Sequence, residues 1–393
     1  MRSIHRCAWM LAMSSVFCFS VTAEKKADMN QVPEWVAAGK PIKQSDIPET
    51  DYPYLAKWLD ENAKPAEDYF VDLFKRHQVV IFGESHNIKE HKDFIIELIP
   101  RLYHEAGVRC IGWEFSRHTD NEKLKRLVIS PEYDREAAIE FARDQCGHEW
   151  SSKEHWGIIE AVWRLNNGLE PGQEKMRMIG LDADVDFVKF LIVSKTMPPD
   201  SPEFQEEAAK VRQRDRVMAE QVEKEIIEKG EKGLVFVGRC PDFTHYAFPS
   251  NVDLRSGIMG HLLHKKYGDR VFQVWPHAAM LRVMEDVMER TGHRAIGFDL
   301  YNSPFAEVLS PAYFTDAPEV PFSKIARGFI YLGPWDDLHR NTAILGFVTD
   351  EMFNKYKRYY ELDFDRTFKD SEEVDKYLRE HGFPDPQKHK RRP

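Results

Sequence analysis

The chain has 393 residues, of which 42% are apolar and 12% aromatic, a composition that excludes a disordered segment and leaves room for a large core. Its 65 acidic residues outnumber 55 basic ones. That excess disfavours nucleic acid and anionic membrane as partners, because both require a basic surface.

In chain order, the first feature is an export signal. Arg2 and Arg6 precede an apolar run from Cys7 to Val21, which ends in Val21-Thr22-Ala23. The pattern predicts cleavage after Ala23 and a periplasmic or secreted protein. The run is shorter than a bilayer span and charge follows it at once, so no stable membrane insertion is expected after cleavage. Phe17 before Cys18 is too bulky for a lipoprotein cleavage site, which disfavours lipidation. Taking Arg2 and Arg6 from the 55 basic residues leaves 53 against 65 acidic ones, a net charge of −12. Cys110, Cys146 and Cys240 remain, an odd and widely spaced set that is not a disulfide framework. A single Cys146–Cys240 bridge is left open, and Cys110 lies in an apolar strand as a core residue.

Residues 24–63, with Pro33, Pro41, Pro48 and Pro53, read as an irregular leader. An α/β domain is then expected over 64–345. A helix at 65–76 precedes a strand at 78–82, a helix at 88–106 follows, and a strand at 108–115 comes next. Helices fill 119–167, where Ser151 and Glu154 form a capping-box pattern. A strand at 176–182, a long charged helix at 202–229 and strands at 233–238, 270–275, 294–300 and 327–332 continue the alternation. Helices at 349–361 and 371–381 and a basic tail close the chain. Short apolar strands alternating with helices predict a mainly parallel sheet covered by helices on both faces. The insertions at 119–167 and 202–229 are expected to add a helical cap.

In an open parallel sheet, ligands bind beyond the carboxyl ends of the strands. Here those ends carry chemistry. The strand 79–82 runs into Gly83, Glu84, Ser85 and His86, and the next strand ends in Glu114. Later strands lead to Asp182, to Asp242 and His245, to His277 and to Asp299. Any single acid in such a place commonly caps the following helix. Six successive strands, each delivering an acid or a histidine, point to a site in which carboxylates and imidazoles shift one another's pKa values, so that one serves as a general base. The same groups suit a divalent metal with one position open for water, although neither H-E-x-x-H nor a paired C-x-x-C is present.

The motifs resemble the erythromycin esterase-like proteins and their wider relatives, the ChaN-like haem-uptake and Tiki-like proteins. Gly83-Glu84-Ser85-His86 is similar to their first motif, and Trp113-Glu114-Phe115 to the second. Trp163-Arg164-Leu165-Asn166 with Ile179-Gly180-Leu181-Asp182 is similar to a helix-then-strand pair. Arg214-Asp215-Arg216-Val217-Met218-Ala219 and Met259-Gly260 with Tyr267-Gly268 resemble two later segments. The resemblance runs over 78–275 with its order kept. It implies a hydrolase acting on a small-molecule substrate such as an ester or lactone. It places His86 as the base that activates water, Glu84 and Glu114 as orienting acids or metal ligands, and His245 as a later partner. Asp182, Arg214, Asp215, His277 and Asp299 are supporting candidates.

Two other readings are carried forward. Gly83-Glu84-Ser85-His86-Asn87 is close to a nucleophile elbow, in which Ser85 would attack with His245 or His277 and Asp299 completing a triad. A ChaN-like relative would instead bind haem or a metal, with Phe243, Tyr246 and Trp275 lining an apolar slot. The oligomeric state is left open.

Overall fold

The computed structural model describes residues 31–146, 151–239, 257–278, 282–310 and 319–382. Its centre is an eight-stranded sheet. We number its strands β1 (Lys64–Pro65), β2 (Val79–Glu84), β3 (Val108–Arg117), β4 (Arg177–Asp182), β5 (Lys232–Gly238), β6 (Val271–Pro276), β7 (Ile296–Asp299) and β8 (Gly328–Tyr331). Their spatial order is β1-β7-β8-β6-β2-β5-β3-β4. Strands β8, β6, β2, β5, β3 and β4 are parallel neighbours in turn, while β7 runs against both β8 and β1.

The burial of β2 shows why this sheet is so apolar. All six of its residues are buried, and alternate side chains serve opposite faces. Val80 and Phe82 join Phe94, Ile95, Leu98 and Ile99 of helix Lys89–His104 in one core cluster, which also takes in Ile158, Ile159 and Val162 of helix Lys153–Asn167. Val79 and Ile81 join Met218 and Val222 of helix Arg214–Val222, with Met259 and Leu263 of helix Met259–Tyr267, on the other face. The insertion at 119–167 therefore contributes helices to one face and the insertion at 202–229 to the opposite one.

Two elements differ from the sequence reading. Within the stretch read as an irregular leader, Tyr52–Asn62 is a helix that buries Leu55, Ala56 and Leu59. Pro53 suggested irregularity, but it lies in the first turn, where its missing N–H removes no helical hydrogen bond. The long charged helix at 202–229 is instead broken into Pro202–Arg212, Arg214–Val222 and a π-turn at Glu223–Ile227. The break falls beside Arg214 and Asp215, which turn inward to partners described below.

Candidate active site

Strand β2 delivers Glu84 to the carboxyl edge of the sheet, fully buried, and the chain then turns through Ser85 to His86. His86 Nδ1 is hydrogen-bonded to Glu84 Oε1. The other oxygen, Oε2, lies 2.5 Å from the ammonium of Lys92, whose side chain is also completely buried. Lys92 Nζ donates further to the carbonyls of Ser85 at 2.7 Å and Ile88 at 3.0 Å. Three donors thus meet three acceptors, which is how a charged lysine tolerates burial.

His155 completes the cluster from the first turn of helix Lys153–Asn167, with Nε2 3.9 Å from Glu84 Oε1. The N-cap of that helix is Ser152, whose hydroxyl lies 2.6 Å from His155 Nδ1. The predicted Ser151–Glu154 capping box does not close: Glu154 accepts a hydrogen bond from the Thr342 backbone instead, at 2.8 Å. Phe115 stands edge-on to both imidazoles, its ring centre 5.7 Å from His86 and 4.6 Å from His155.

Strand β3 brings Glu114 to the same edge. Its Oε2 accepts the Gly238 N–H at 2.5 Å, and its Oε1 accepts from Arg214 Nη2 at 3.1 Å. Arg214 forks onto Asp182 at the end of β4, at 2.8 and 2.7 Å. Asp215 is buried and accepts the Met259 N–H at 3.0 Å, which anchors one helix to the next. Gly238 closes the floor. A Cβ at that position would lie 2.5 Å from His86 Cε1, 2.9 Å from His86 Nε2 and 3.3 Å from Glu114 Oε2. His86 Nε2 therefore faces Gly238 and Glu114, and 51% of the His86 side chain stays open to solvent.

The electrostatics follow from this packing. Burial opposes the charge on Glu84, but Lys92, His86 and His155 outweigh it and hold the carboxyl well below its usual pKa. Burial also opposes a charged His86, yet Glu84 and Glu114 prevail and raise its pKa above 6.5. His155 behaves oppositely: burial, reinforced by Lys92, brings it down to about 4. The pKa values of the two histidines beside one carboxylate thus move in opposite directions.

Other sequence candidates land elsewhere. His277 follows β6 and is buried, but its Nε2 pairs with Glu285, not with the Glu84 cluster. Its carbonyl accepts from His91 Nε2 at 3.0 Å, while His91 Nδ1 accepts the Ser85 N–H, also at 3.0 Å. Asp299 is on the wrong edge altogether. Because β7 is antiparallel to β8, its carboxyl end pairs with Gly328 at the start of β8. There Asp299 binds Arg76 at 2.8 and 3.0 Å and the Tyr69 hydroxyl at 3.0 Å. The Ser85–His277–Asp299 triad is consequently not assembled. His245, Phe243, Tyr246 and Cys240 lie outside the described residues, as does the side chain of Cys146. Trp275, the remaining aromatic of the haem slot, is 2% exposed and packs edge-on against Phe322.

The sequence reading does not single out Lys92 and Asn341 as site residues, and it favours a structural role for His155 in the helical cap. The first had a signal: Lys92 occupies a position on the helix stripe that otherwise carries Ile88, Ile95, Leu98, Ile99 and Leu102. Asn341 donates to the His86 carbonyl at 2.5 Å from 255 residues away, and no local pattern marks it.

Glu84, His86 and His155 can bring one donor atom each within 4.8 Å of one another, a spacing compatible with a metal ion. The charge is not. A divalent cation on Glu84 would share that carboxylate with the buried Lys92 ammonium 2.5 Å away and would displace the His86 hydrogen bond. As built, the donor set does not fit a metal.

No family model and no curated protein matches the sequence. Solved structures do match in fold. A succinoglycan biosynthesis protein superposes with a TM-score of 0.55 at 11% identity, covering 75% of this chain and 99% of that one. An erythromycin esterase in its open conformation gives 0.45 at 10% identity, covering 67% and 92%. ChaN of Campylobacter jejuni, seen with cofacial haem, gives 0.37 at 16% identity, covering 55% and 88%. Two of the three protein types named by the motif resemblance, the erythromycin esterases and ChaN, are thus represented among the fold matches. At these identities the likeness concerns the fold alone.

Proposed function

We propose that the protein is an exported hydrolase that activates water for attack on an ester or lactone, with His86 as general base. One observation carries this reading: the His86 imidazole is oriented through Nδ1 by a carboxylate that is itself pinned by Lys92. A neutral His86 that donates from Nδ1 presents its Nε2 lone pair on the side of Gly238 and Glu114. A carboxylate behind an imidazole is the arrangement that selects one tautomer and stabilises the imidazolium formed during catalysis.

The steps use only groups of this chain. Water placed between His86 Nε2 and the substrate carbonyl loses a proton to Nε2 as its oxygen bonds to the carbonyl carbon. The imidazolium then returns that proton to the departing alkoxide as the C–O bond breaks. Glu84 offsets the charge on the imidazolium. Glu114, held by Gly238 N–H and Arg214, adds a second negative charge close to it. Ser85 takes no covalent part in this scheme. Its N–H and carbonyl serve His91 and Lys92. Export rests on the Arg2-to-Ala23 signal pattern.

The test is hydrolysis of a panel of aryl esters and lactones by the mature protein, with and without chelator, before and after a serine-directed phosphonate. Turnover insensitive to both reagents is expected. Loss of activity upon labelling Ser85 would transfer the nucleophile to that residue, and no hydrolysis on any substrate would remove the assignment.

A further inference from the structure

Beyond pinning Glu84, Lys92 brings a full positive charge into the cluster. A lysine with no exposed surface stands behind the working pair, on a helix face otherwise given to apolar packing. Its position is that of a ligand-bound cation. Nζ contacts one carboxylate oxygen at 2.5 Å and two backbone carbonyls at 2.7 and 3.0 Å, an all-oxygen set. The other oxygen of the same carboxylate faces His86 Nδ1 and, at 3.9 Å, His155 Nε2.

We propose that the Lys92 ammonium takes the place of a metal ion in this cluster, so that the Glu84–His86–His155 set excludes divalent cations in the native protein and becomes a divalent-cation site when the lysine charge is removed. The argument is one of charge and donor chemistry. The charged and titratable groups facing Glu84 are the Lys92 ammonium from helix Lys89–His104 and the imidazoles of His86, from its own loop, and His155, from helix Lys153–Asn167. Glu114, from β3, faces His86. With the ammonium present, Glu84 is already neutralised and a second cation would meet an uncompensated positive charge in a region of weak screening. Without it, a buried carboxylate and two imidazoles stand within 4.8 Å, a common donor set for zinc or manganese. Burying a bare carboxylate is costly, so recruitment of a cation is the natural relief.

The inference builds on His86 as the base, but its test reads metal binding and not turnover, so the two can fail separately. Titrate zinc and manganese calorimetrically into the mature wild-type protein, Lys92→Met, and the double variant Lys92→Met with Glu84→Gln, after circular dichroism has established that each is folded. The expected result is no uptake in wild type attributable to the cluster, one ion per chain gained in Lys92→Met, and loss of that ion in the double variant. A wild-type site abolished by Glu84→Gln alone would overturn the proposal, as would a folded Lys92→Met that gains nothing. Should Lys92→Met fail to fold, wild type alone still decides the matter. Zinc should give His86 no protection from diethyl pyrocarbonate, and protection that Glu84→Gln abolishes would refute the exclusion.

Discussion

Arg214 and Glu114 meet at 3.1 Å across the carboxyl edge of the sheet although one hundred positions separate them in the chain. The same guanidinium forks onto Asp182, so a single half-buried cation holds two strand ends together. Burial raises the pKa of Asp182, against the opposing pull of Arg214. Replacing Arg214 by Met leaves two buried carboxylates without their cation. The expected loss is about 3–5 kcal/mol of stability, measured by urea unfolding. Adding Asp182→Asn to that variant should recover part of the loss.

The working pair is tested by kinetics. His86→Ala and Glu84→Gln should each lower turnover by ~10²-fold or more, the usual cost of losing a general base or its orientation. Circular dichroism should show both variants folded. Near-normal rates in either would reassign the base.

Gly238 offers a subtler probe, because its backbone N–H holds Glu114 while its missing side chain leaves room for the His86 ring. A methyl group there would meet His86 Cε1 at 2.5 Å, and the half-exposed ring would have to swing away. Gly238→Ala should therefore reduce kcat by about 10²-fold, the order of cost for a displacement of about 1 Å in a reacting group. Thermal unfolding should change far less than in Arg214→Met.

Acid should act on the molecule twice. Activity needs neutral His86, whose pKa is raised, so kcat/KM should fall with an acid limb centred above pH 6.5. Stability responds to His155 in the other sense. Its folded-state pKa of about 4 lies below the unfolded value of 6.5, so the folded state favours the neutral ring. That contribution is complete above pH 6.5 and is lost as pH falls from 6.5 towards 4. Chemical denaturation across that window should show declining stability, with a shallower decline in His155→Gln. Glu84, depressed below 4.5, loses its contribution only at still lower pH.

Asp299 serves as the negative control. Its partners, Arg76 and Tyr69, lie at the amino edge of the parallel strands. Asp299→Asn should leave kcat within about twofold of wild type while costing about 1–2 kcal/mol of stability, as expected for a partly exposed charged hydrogen-bond network. A large kinetic effect would mean that this edge communicates with the site.

The contrast between Glu84 and Asp299 shows what a sequence conveys. Both follow apolar strands and both end in an acid, so periodicity treats them alike. Strand direction separates them, and direction depends on long-range pairing: β7 lies between β1 and β8 and runs against both. The parallel strands themselves were legible because burial on both faces demands unbroken apolar runs. Glu84, Glu114 and Asp182 were legible for the same reason, since each sits at the end of such a run. His155 was not. The sequence places it in the helical cap, where a structural role is the favoured reading, and only the docking of helix Lys153–Asn167 against helix Lys89–His104 turns it towards Glu84. The break in the long charged helix was equally hidden, since no glycine or proline marks Gln213.

The segment 339–344 ties the His86 loop to the start of the His155 helix. The Lys89 N–H donates to His339, Asn341 bonds the carbonyls of His86 and Asn87, and Lys153 and Ile344 exchange backbone bonds with Thr342 and Ser151. A ribosome adds residues from one end only, so at the moment His86 and His155 emerge, the clasp that will fix them has yet to be translated. A nascent chain halted before this stretch would carry every group of the working pair and still lack their locked geometry. Competence is conferred late in synthesis, by a segment that performs no chemistry of its own.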